Sequence, residues 1–375
     1  MEPLLVLGPL SITPYSLMIF SGAVIGTLLA ARKKTVRPAL PLTALLALIL
    51  GHVVWCLMND TSMEYYGSSL LFQPWRGGYT LYGALLGGFL GALITARLTR
   101  VRLTEITDGL AAGAAALLFF ARMGEYFSGQ GCGAVLENEG LHFFPLAYIP
   151  WGETAESADW CYAVWFWEAA AALVLLAVLL LRRPSRRGDP TFIFLSVLGL
   201  TQIFFEQLRR DDYVSLTGFV RFSQVGALVS LIAVMIALTV LRRPKTLTAV
   251  FCFLTLAAAS LTIMYVEFAL DKTRYYPILY ISTAATAVIT VCLLIISGGR
   301  KGLASAGWAG LSAFILLFSH ALEDPEANSY VILYGFMVWA LACIGAAVSL
   351  LMKSRPGEAK NLPGETETLS GEVRR

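Results

Sequence analysis

The stretch YAVWFWEAAAALVLLAVLLL (residues 162–181), followed at once by RRPSRR (residues 182–187), decides the fold class. Glu168 is the only charged side chain in the apolar part. A bilayer core takes about 20 residues of α-helix to cross. The apolar run therefore predicts a membrane-spanning helix, and the basic run predicts that this helix ends on the cytoplasmic side.

The same alternation recurs along the chain. Of 375 residues, 57% are hydrophobic and 14% are charged, whereas soluble domains are nearer ~45–50% and ~25%. The excess lies in blocks of spanning length, which excludes a soluble globular protein. The sequence predicts an all-α polytopic membrane protein with about eleven transmembrane helices. The predicted spans are 14–31, 42–58, 80–96, 105–122, 161–181, 190–207, 223–241, 247–268, 276–297, 302–320 and 330–352.

Basic clusters follow every second predicted span, and the loops between them are acidic or mixed. The positive-inside rule then places the amino terminus outside and the carboxyl terminus in the cytoplasm. Nearly all polar groups at membrane depth lie in residues 1–243, which form the predicted functional domain of seven spans. Residues 244–353 predict four appended spans, and the polar residues 354–375 predict a disordered cytoplasmic tail. In the third span Gly83, Gly87 and Gly91 share one helix face, which predicts close packing against another backbone.

The six cysteines and three histidines show no metal-ligand spacing. No metal site is therefore predicted. We also expect no cofactor and no nucleic-acid partner. Cys132 and Cys161 bound one predicted outer segment, where the compartment permits a disulfide. We expect this pair to be bridged, and two free thiols remain the open alternative.

A short set of polar side chains lies at membrane depth, where a charge costs about 2.5–3.5 kcal/mol on insertion scales. Such residues are functional candidates unless they only pair with one another. A pairing of Arg122 with Glu168 or Glu206 would make the set purely structural, and composition alone leaves both interpretations open. The set is Tyr15, His52, Arg122, Glu125, Gln130, Glu168, Gln202, Glu206 and Gln224.

The segment ARMGEYFSGQGCG (residues 121–133) favours function. A guanidinium at a predicted helix end, followed by glycines with free backbone N–H groups, predicts a phosphate-binding loop. The segment resembles the signature Gly-Arg-x-Gly-Asn-Phe-x-Asn-Gly-Glu-x-x-Gly of the prolipoprotein diacylglyceryl transferases. Arg122, Gly124, Gly129 and Gly133 match that signature in register, and Tyr126 keeps its aromatic position.

Four further stretches resemble the family in order, so that the resemblance covers about residues 5–243. GPLSITPYSLM (residues 8–18) is similar to the family's opening and keeps its tyrosine as Tyr15. WFWE (residues 165–168) stands in place of Gln-Leu-Tyr-Glu and keeps Glu168. QIFFEQLR (residues 202–209) resembles Arg-x-x-x-Glu-x-x-Arg and keeps Glu206 and Arg209. FSQ (residues 222–224) is similar to the Ser-x-Gly-Gln that follows it.

Six of the departures from the family pattern fall at candidate site residues. Glu125 and Ser128 replace asparagines, Gln130 replaces a glutamate, Tyr82 replaces a histidine, and His52 and Gln202 replace arginines. The missing histidine means that another group must accept a proton, and Glu125 and His52 are the two candidates.

The resemblance implies a bacterial plasma-membrane enzyme that moves the diacylglyceryl group of phosphatidylglycerol to a lipobox cysteine of a prolipoprotein. It implies catalytic roles for Arg122, as the cation for the leaving phosphate, and for Glu125, Tyr15 and Glu206. The substrate-binding residues that it implies are Gly124, Ser128, Gln130, Gly133, Glu168, Gln202, Arg209, Tyr82 and His52. Two alternatives stay open: a relative with a different acceptor, and a non-catalytic lipid-binding or assembly protein.

Overall fold

The computed structural model describes residues 4–7, 10–76, 78–150, 159–210, 215–217, 220–322 and 330–354. Within these ranges, eleven helical segments are long and apolar enough to cross a membrane, which confirms the all-α polytopic fold. The helices are α1 (Pro14–Ala31), α2 (Leu40–Met58), α3 (Asp60–Tyr66), α4 (Leu81–Thr99), α5 (Leu103–Ser128), α6 (Val164–Leu181), α7 (Asp189–Leu208), α8 (Phe222–Arg242), α9 (Thr246–Asp271), α10 (Tyr276–Leu322) and α11 (Tyr330–Lys353). The predicted tail, apart from Ser354, lies outside the described residues.

The 47-residue helix α10 supplies two of the spans, because the chain reverses between Leu294 and Gly302. A Cβ atom placed on Gly302 would lie 2.1 Å from the carbonyl oxygen of Leu294. Eight residues of straight helix would separate these positions by about 12 Å. The hydroxyl of Tyr280 also lies 2.7 Å from Nδ1 of His320. The two antiparallel halves agree with the two spans predicted here.

The chain divides into two compact units, Met1–Val234 and Met235–Arg375, and the division falls inside α8. The predicted domain boundary at residue 243 stays a prediction. In the second unit the side chains of Phe336, Met337 and Ile344 on α11 are buried and belong to the apolar core.

Two helix pairs of the first unit pack through glycine. A Cβ atom on Gly113 would lie 2.4 Å from the carbonyl oxygen of Gly26, so α1 and α5 meet backbone to backbone. In the same way, a Cβ atom on Gly87 would lie 2.1 Å from the carbonyl oxygen of Leu46 on α2. Only glycine permits such an approach, which confirms the packing face predicted for the third span.

Helices α5 and α7 are joined by hydrogen bonds at the N-terminal end of α7. The carboxylate of Asp108 on α5 accepts hydrogen bonds from the backbone N–H of Gly188 at 2.7 Å and of Thr191 at 3.2 Å. It thereby satisfies N–H groups that a helix start leaves open. Further along, Ala115 and Leu198 belong to one apolar core between the helices. The opposite ends of α5 and α7 are therefore held side by side, where the polar residues lie.

Short strands connect the helix ends. They are β1 (Leu5–Leu7), β2 (Leu10–Ile12), β3 (Cys132–Val135), β4 (Ala147–Tyr148), β5 (Cys161–Ala163), β6 (Ser215–Thr217) and β7 (Val220–Arg221). Strands β3, β5 and β4 form one antiparallel sheet in that order.

The predicted disulfide is wrong, because Cys132 and Cys161 are two separate thiols and not a disulfide. The register of the sheet pairs Cys132 with Ala163 and Cys161 with Val135, so the two cysteines lie diagonally rather than opposite each other. The Cys161 thiol lies 3.6 Å from the carbonyl oxygen of Asp159 instead.

Candidate active site

The ends of α5, α6 and α7 bring together the polar side chains that were predicted at membrane depth. Arg122 and Glu125 lie near the end of α5, Glu168 on the first turns of α6, and Gln202 and Glu206 on the last turns of α7. The charged side chains among them are at most 11% exposed. These groups therefore lie in the interior of the first unit.

Two arginines and two glutamates form a closed ring of ion pairs. Arg122 bonds to Oε1 of Glu125 through Nη1, and its Nη2 lies 3.3 Å from Oε1 of Glu168. Arg209, which follows α7, lies 2.7 Å from Oε2 of Glu168 and 3.2 Å from Oε2 of Glu125. Each carboxylate thus meets both guanidiniums, one through each oxygen. The contact at Glu125 Oε2 is an ion pair without hydrogen-bond alignment.

Gln202 links this ring to a further carboxylate. Its Oε1 accepts a hydrogen bond from Arg122 Nη2 at 2.9 Å, and its Nε2 donates to Oε2 of Glu206 at 2.7 Å. Arg221 pairs with this carboxylate from the other side, since its Nη1 lies 3.4 Å from Oε1 of Glu206. The Nη2 of Arg221 also donates to the backbone carbonyl of Arg209 at 2.8 Å.

Arg221 is a site residue absent from the sequence-based prediction. It is the last residue of β7, directly before α8, and it is 7% exposed. A charge at the start of an apolar span usually lies at the membrane interface. The signal that could have found it is its position directly before the matching FSQ stretch (residues 222–224). The set that we name the charge cluster is Arg122, Glu125, Glu168, Glu206, Arg209 and Arg221.

The charge cluster carries three positive and three negative groups, and this balance governs its stability. An intact buried ion pair contributes little, because desolvation offsets the attraction. Removal of one partner leaves an uncompensated buried charge at a cost of about 3–5 kcal/mol. The sequence suggested that Arg122 pairs with Glu168 or Glu206. Arg122 contacts Glu168 directly, and it is linked to Glu206 through Gln202.

Two predicted tyrosines border the cluster. The ring of Tyr15 packs against α5, where a Cβ atom on Gly124 would lie 3.0 Å from its Cδ2. The ring of Tyr82 covers Gly226 of α8, where a Cβ atom would lie 2.5 Å from it. Among the described residues the buried Tyr82 hydroxyl meets no hydrogen-bond partner. A buried hydroxyl without a hydrogen-bond partner is energetically costly.

The predicted phosphate-binding loop from Gly124 to Gly133 is wrong in its extent. Helix α5 continues to Ser128, so the backbone N–H groups up to that residue belong to the helix. A single glycine costs a helix only about 1 kcal/mol, which tertiary packing overrides. Ser128 Oγ and the Gln130 N–H bond to the carbonyl oxygen of Glu125 at 3.1 and 3.2 Å and so close the helix end. The Gln130 side chain is exposed, and Gly133 packs within β3.

A narrow cleft between α5, α6 and α7 leads to Arg122, Glu168 and Gln202. Its other walls are Leu118, Ala171, Ala172, Leu175, Val197, Leu198, Thr201 and Phe205. Its volume is about 10 Å³, which is room for about one water molecule. A guanidinium reached between apolar helices suits a lipid phosphate, and a headgroup can enter only when side chains of these helices move.

The sequence profile of the family described as prolipoprotein diacylglyceryl transferase matches residues 3–242. The chain belongs to this family. Helices α9 to α11 lie beyond the matched residues. The chain is thus a bacterial multi-pass membrane protein of a transferase family.

Curated relatives of this family align over most of their own length. A phosphatidylglycerol–prolipoprotein diacylglyceryl transferase of Synechococcus elongatus is 25% identical over 245 residues, which are 60% of this chain and 82% of the relative. One of Paenarthrobacter aurescens is 29% identical over 276 residues, 64% of this chain and 82% of the relative. One of Staphylococcus aureus is 25% identical over 254 residues, 64% of this chain and 88% of the relative.

In this structure His52 contacts backbone groups of the segment between α2 and α4 and not the charge cluster. Its Nδ1 lies 3.0 Å from the carbonyl oxygen of Gly78 and its Nε2 lies 3.0 Å from that of Leu70. The ring is 2% exposed and stacks near Trp55. Because both ring nitrogens face backbone carbonyls of the segment after α2, His52 anchors that segment. Of the two candidate proton acceptors, Glu125 is the one inside the cluster.

Replacing His52 with alanine is expected to loosen the segment between α2 and α4 and to leave the charge cluster assembled. One backbone carbonyl would lose a buried hydrogen bond at about 1–3 kcal/mol, since a neutral imidazole donates from one ring nitrogen only, and the packing of the ring would be lost as well. We expect a lower melting temperature in detergent and faster proteolysis within residues 59–80. His142→Ala is the matched control, because that ring contacts the carbonyl oxygen of Leu136 in another segment. Unchanged proteolysis of the His52 variant would contradict the anchoring role.

Proposed function

We propose that this protein transfers the diacylglyceryl group of phosphatidylglycerol to the cysteine thiol of a prolipoprotein. The observation that carries the proposal is Arg122, a guanidinium that lines a cleft between apolar helices and is held by Glu168 and Gln202. A planar guanidinium in such surroundings is suited to neutralise a lipid phosphate. The curated relatives are named for this donor and this acceptor, which supports both assignments.

In the proposed reaction the cysteine sulfur bonds to the glyceryl carbon that carries the phosphate ester, and the bond from that carbon to the phosphate oxygen breaks. Arg122 stabilises the negative charge that grows on the leaving phosphate. Glu125 accepts the thiol proton, which then leaves with glycerol phosphate. Tyr15 and Glu206 orient the lipid, and the buried Tyr82 hydroxyl offers a hydrogen bond to one of its oxygens.

The remaining polar groups act on these residues rather than on the lipid directly. Glu168 and Gln202 fix the plane of the Arg122 guanidinium through contacts of 3.3 and 2.9 Å. Arg209 shares both carboxylates of the ring, so it holds Glu125 beside Arg122. A site whose groups are fixed in advance stabilises developing charge without reorganisation.

A lipid-binding protein without transfer activity is a second candidate, and the balance of the charge cluster favours it. Arg122 already meets Glu125, Glu168 and Gln202. A phosphate that binds must share Arg122 with these partners, which weakens its support for a developing charge and favours binding without transfer.

Thioether formation separates the two candidates. The purified protein in liposomes that contain phosphatidylglycerol is mixed with a lipobox peptide, and mass spectrometry follows the peptide and the released glycerol phosphate. We expect the diacylglyceryl peptide and glycerol phosphate in equal amounts, and no adduct on a peptide with serine in place of the cysteine. Bound phosphatidylglycerol with no adduct would support the second candidate and refute the first.

We also propose that the amino terminus lies outside and the carboxyl terminus in the cytoplasm of a bacterial plasma membrane. Residues 1–243 would form the transferase-like domain, residues 244–353 an appended four-span region and residues 354–375 a disordered cytoplasmic tail. The basic clusters on one side of the predicted spans support this orientation.

A reporter joined after Lys245 is expected to read as cytoplasmic, because that residue follows the seventh span and a basic cluster. The matched fusion after Lys272, between α9 and α10, should read as external. Paired alkaline phosphatase and fluorescent-protein fusions give the measurement. An external signal at Lys245 would contradict both the orientation and the span count.

A further inference from the structure

Arg221 reaches the charge cluster from the junction between β7 and α8, whereas the other members lie on α5, α6 or the end of α7. Its side chain is 8% exposed and lies against Glu206, 3.4 Å from Oε1. Its backbone N–H is also bonded, to Oε1 of Gln224 at 3.1 Å. The residue is therefore fixed at its backbone and at its guanidinium.

The side-chain amide of Gln202 links the position of Glu206 to that of Arg122 through two hydrogen bonds. A guanidinium only donates and a carboxylate only accepts, so the amide oxygen must face Arg122 and the amide nitrogen must face Glu206. If Glu206 moved away, the amide would be free to turn its nitrogen toward Arg122, where two donors would face each other. The hydrogen bonds of Gln202 to Arg122 (2.9 Å) and to Glu206 (2.7 Å) therefore both depend on a fixed position of Glu206.

We propose that Arg221 is a positioning residue of this site, which holds Glu206 and, through Gln202, sets Arg122 for the phosphate of the donor lipid. This inference rests on the proposed function. Position 202 carries a neutral amide on the α7 side of Glu206, and Arg221 supplies a cation from the α8 side. Without Arg221 the charge cluster would carry a net negative charge and would repel an anionic phosphate.

The variant Arg221→Gln tests the role directly. We expect kcat/KM for phosphatidylglycerol to fall about tenfold, the size of coupling found within one polar network. The KM for the lipobox peptide should stay unchanged, because Arg221 acts on the phosphate side. Arg210→Gln is the matched control, since Arg210 is the exposed neighbour of Arg209 and lies outside the charge cluster. A variant within twofold of the wild type would overturn the proposal.

Arg221→Lys separates positioning from a merely structural tie. Arg221 also donates to the backbone carbonyl of Arg209, and this contact could hold α7 to α8. A lysine keeps a cation beside Glu206, but its single ammonium lacks the fork that reaches Glu206 and that carbonyl through separate nitrogens. We expect Arg221→Lys to stay within about threefold of the wild type. A loss as large as that of Arg221→Gln would overturn the proposal, because it would show that the tie alone matters.

Two further measurements keep the outcomes distinct. Binding of a fluorescent phosphatidylglycerol should weaken about tenfold in Arg221→Gln and stay near the wild-type value in Arg221→Lys. A wild type that binds this lipid but makes no thioether refutes the proposed function, and these affinities then decide the role of Arg221. If Arg221→Gln does not fold, Arg221→Lys decides the matter alone, and a loss of more than about threefold would overturn the proposal.

Discussion

Replacing Arg122 with alanine is expected to lower the rate of thioether formation at least about 100-fold, the usual cost of losing one preorganised donor to a transition-state charge. Arg122 is the cation that lines the cleft between α5, α6 and α7. Arg122→Lys should recover only part of the rate. A lysine keeps the charge, but it lacks the planar fork that meets Glu168 and Gln202 together.

Folding must be measured beside activity in this variant, because alanine leaves two carboxylates with one cation between them. Such a loss costs about 3–5 kcal/mol in a buried pair. Arg122→Ala/Glu168→Gln restores the charge balance, so it should regain thermal stability and remain inactive. Full transfer by Arg122→Ala at equal expression would remove Arg122 from the phosphate site.

Replacing Glu125 with glutamine is expected to lower transfer at least about 100-fold, within the range for loss of a general base. The amide keeps the shape of the side chain, but it cannot accept the thiol proton. Binding of phosphatidylglycerol should become tighter, because the charge cluster gains a net positive charge when one of its three carboxylates is lost. Initial rates of thioether formation and lipid affinity give the two measurements.

The opposite movement of rate and affinity is what identifies Glu125 as the proton acceptor. Glu139→Gln is the matched control, since Glu139 is an exposed acid of the segment after β3. It should change neither quantity. If Glu125→Gln lost rate and lipid affinity together, Glu125 would serve to hold Arg122 and some other group would take the proton.

Local sequence was sufficient for the spans and for the place of the site along the chain. Hydropathy predicted both halves of α10 as separate spans, although they belong to one helix with a reversal. The order of the matching motifs predicted that Arg122, Glu168 and Glu206 belong to one site, and the ends of α5, α6 and α7 bring them together.

Two expectations depended on contacts that no local pattern contains. The glycines after Arg122 predicted an early loop, but packing of Gly124 against Tyr15 keeps the helix intact to Ser128. The placing of two cysteines on one segment predicted a bridge, but the strand register sets Cys132 and Cys161 diagonally.

The sequence by itself determined that this protein crosses a membrane many times, where it does so, and which motifs it shares with its family. These properties follow from hydropathy summed over about 20 consecutive residues and from the order of short motifs. Only the tertiary structure decided which charges pair, that Arg221 joins them and that His52 does not. Arg122 and Gln202 lie 80 positions apart in the chain, yet their side chains are 2.9 Å apart. Ion pairing depends on such distances, which helix packing sets, and any of several arginines could have matched a given glutamate by charge alone.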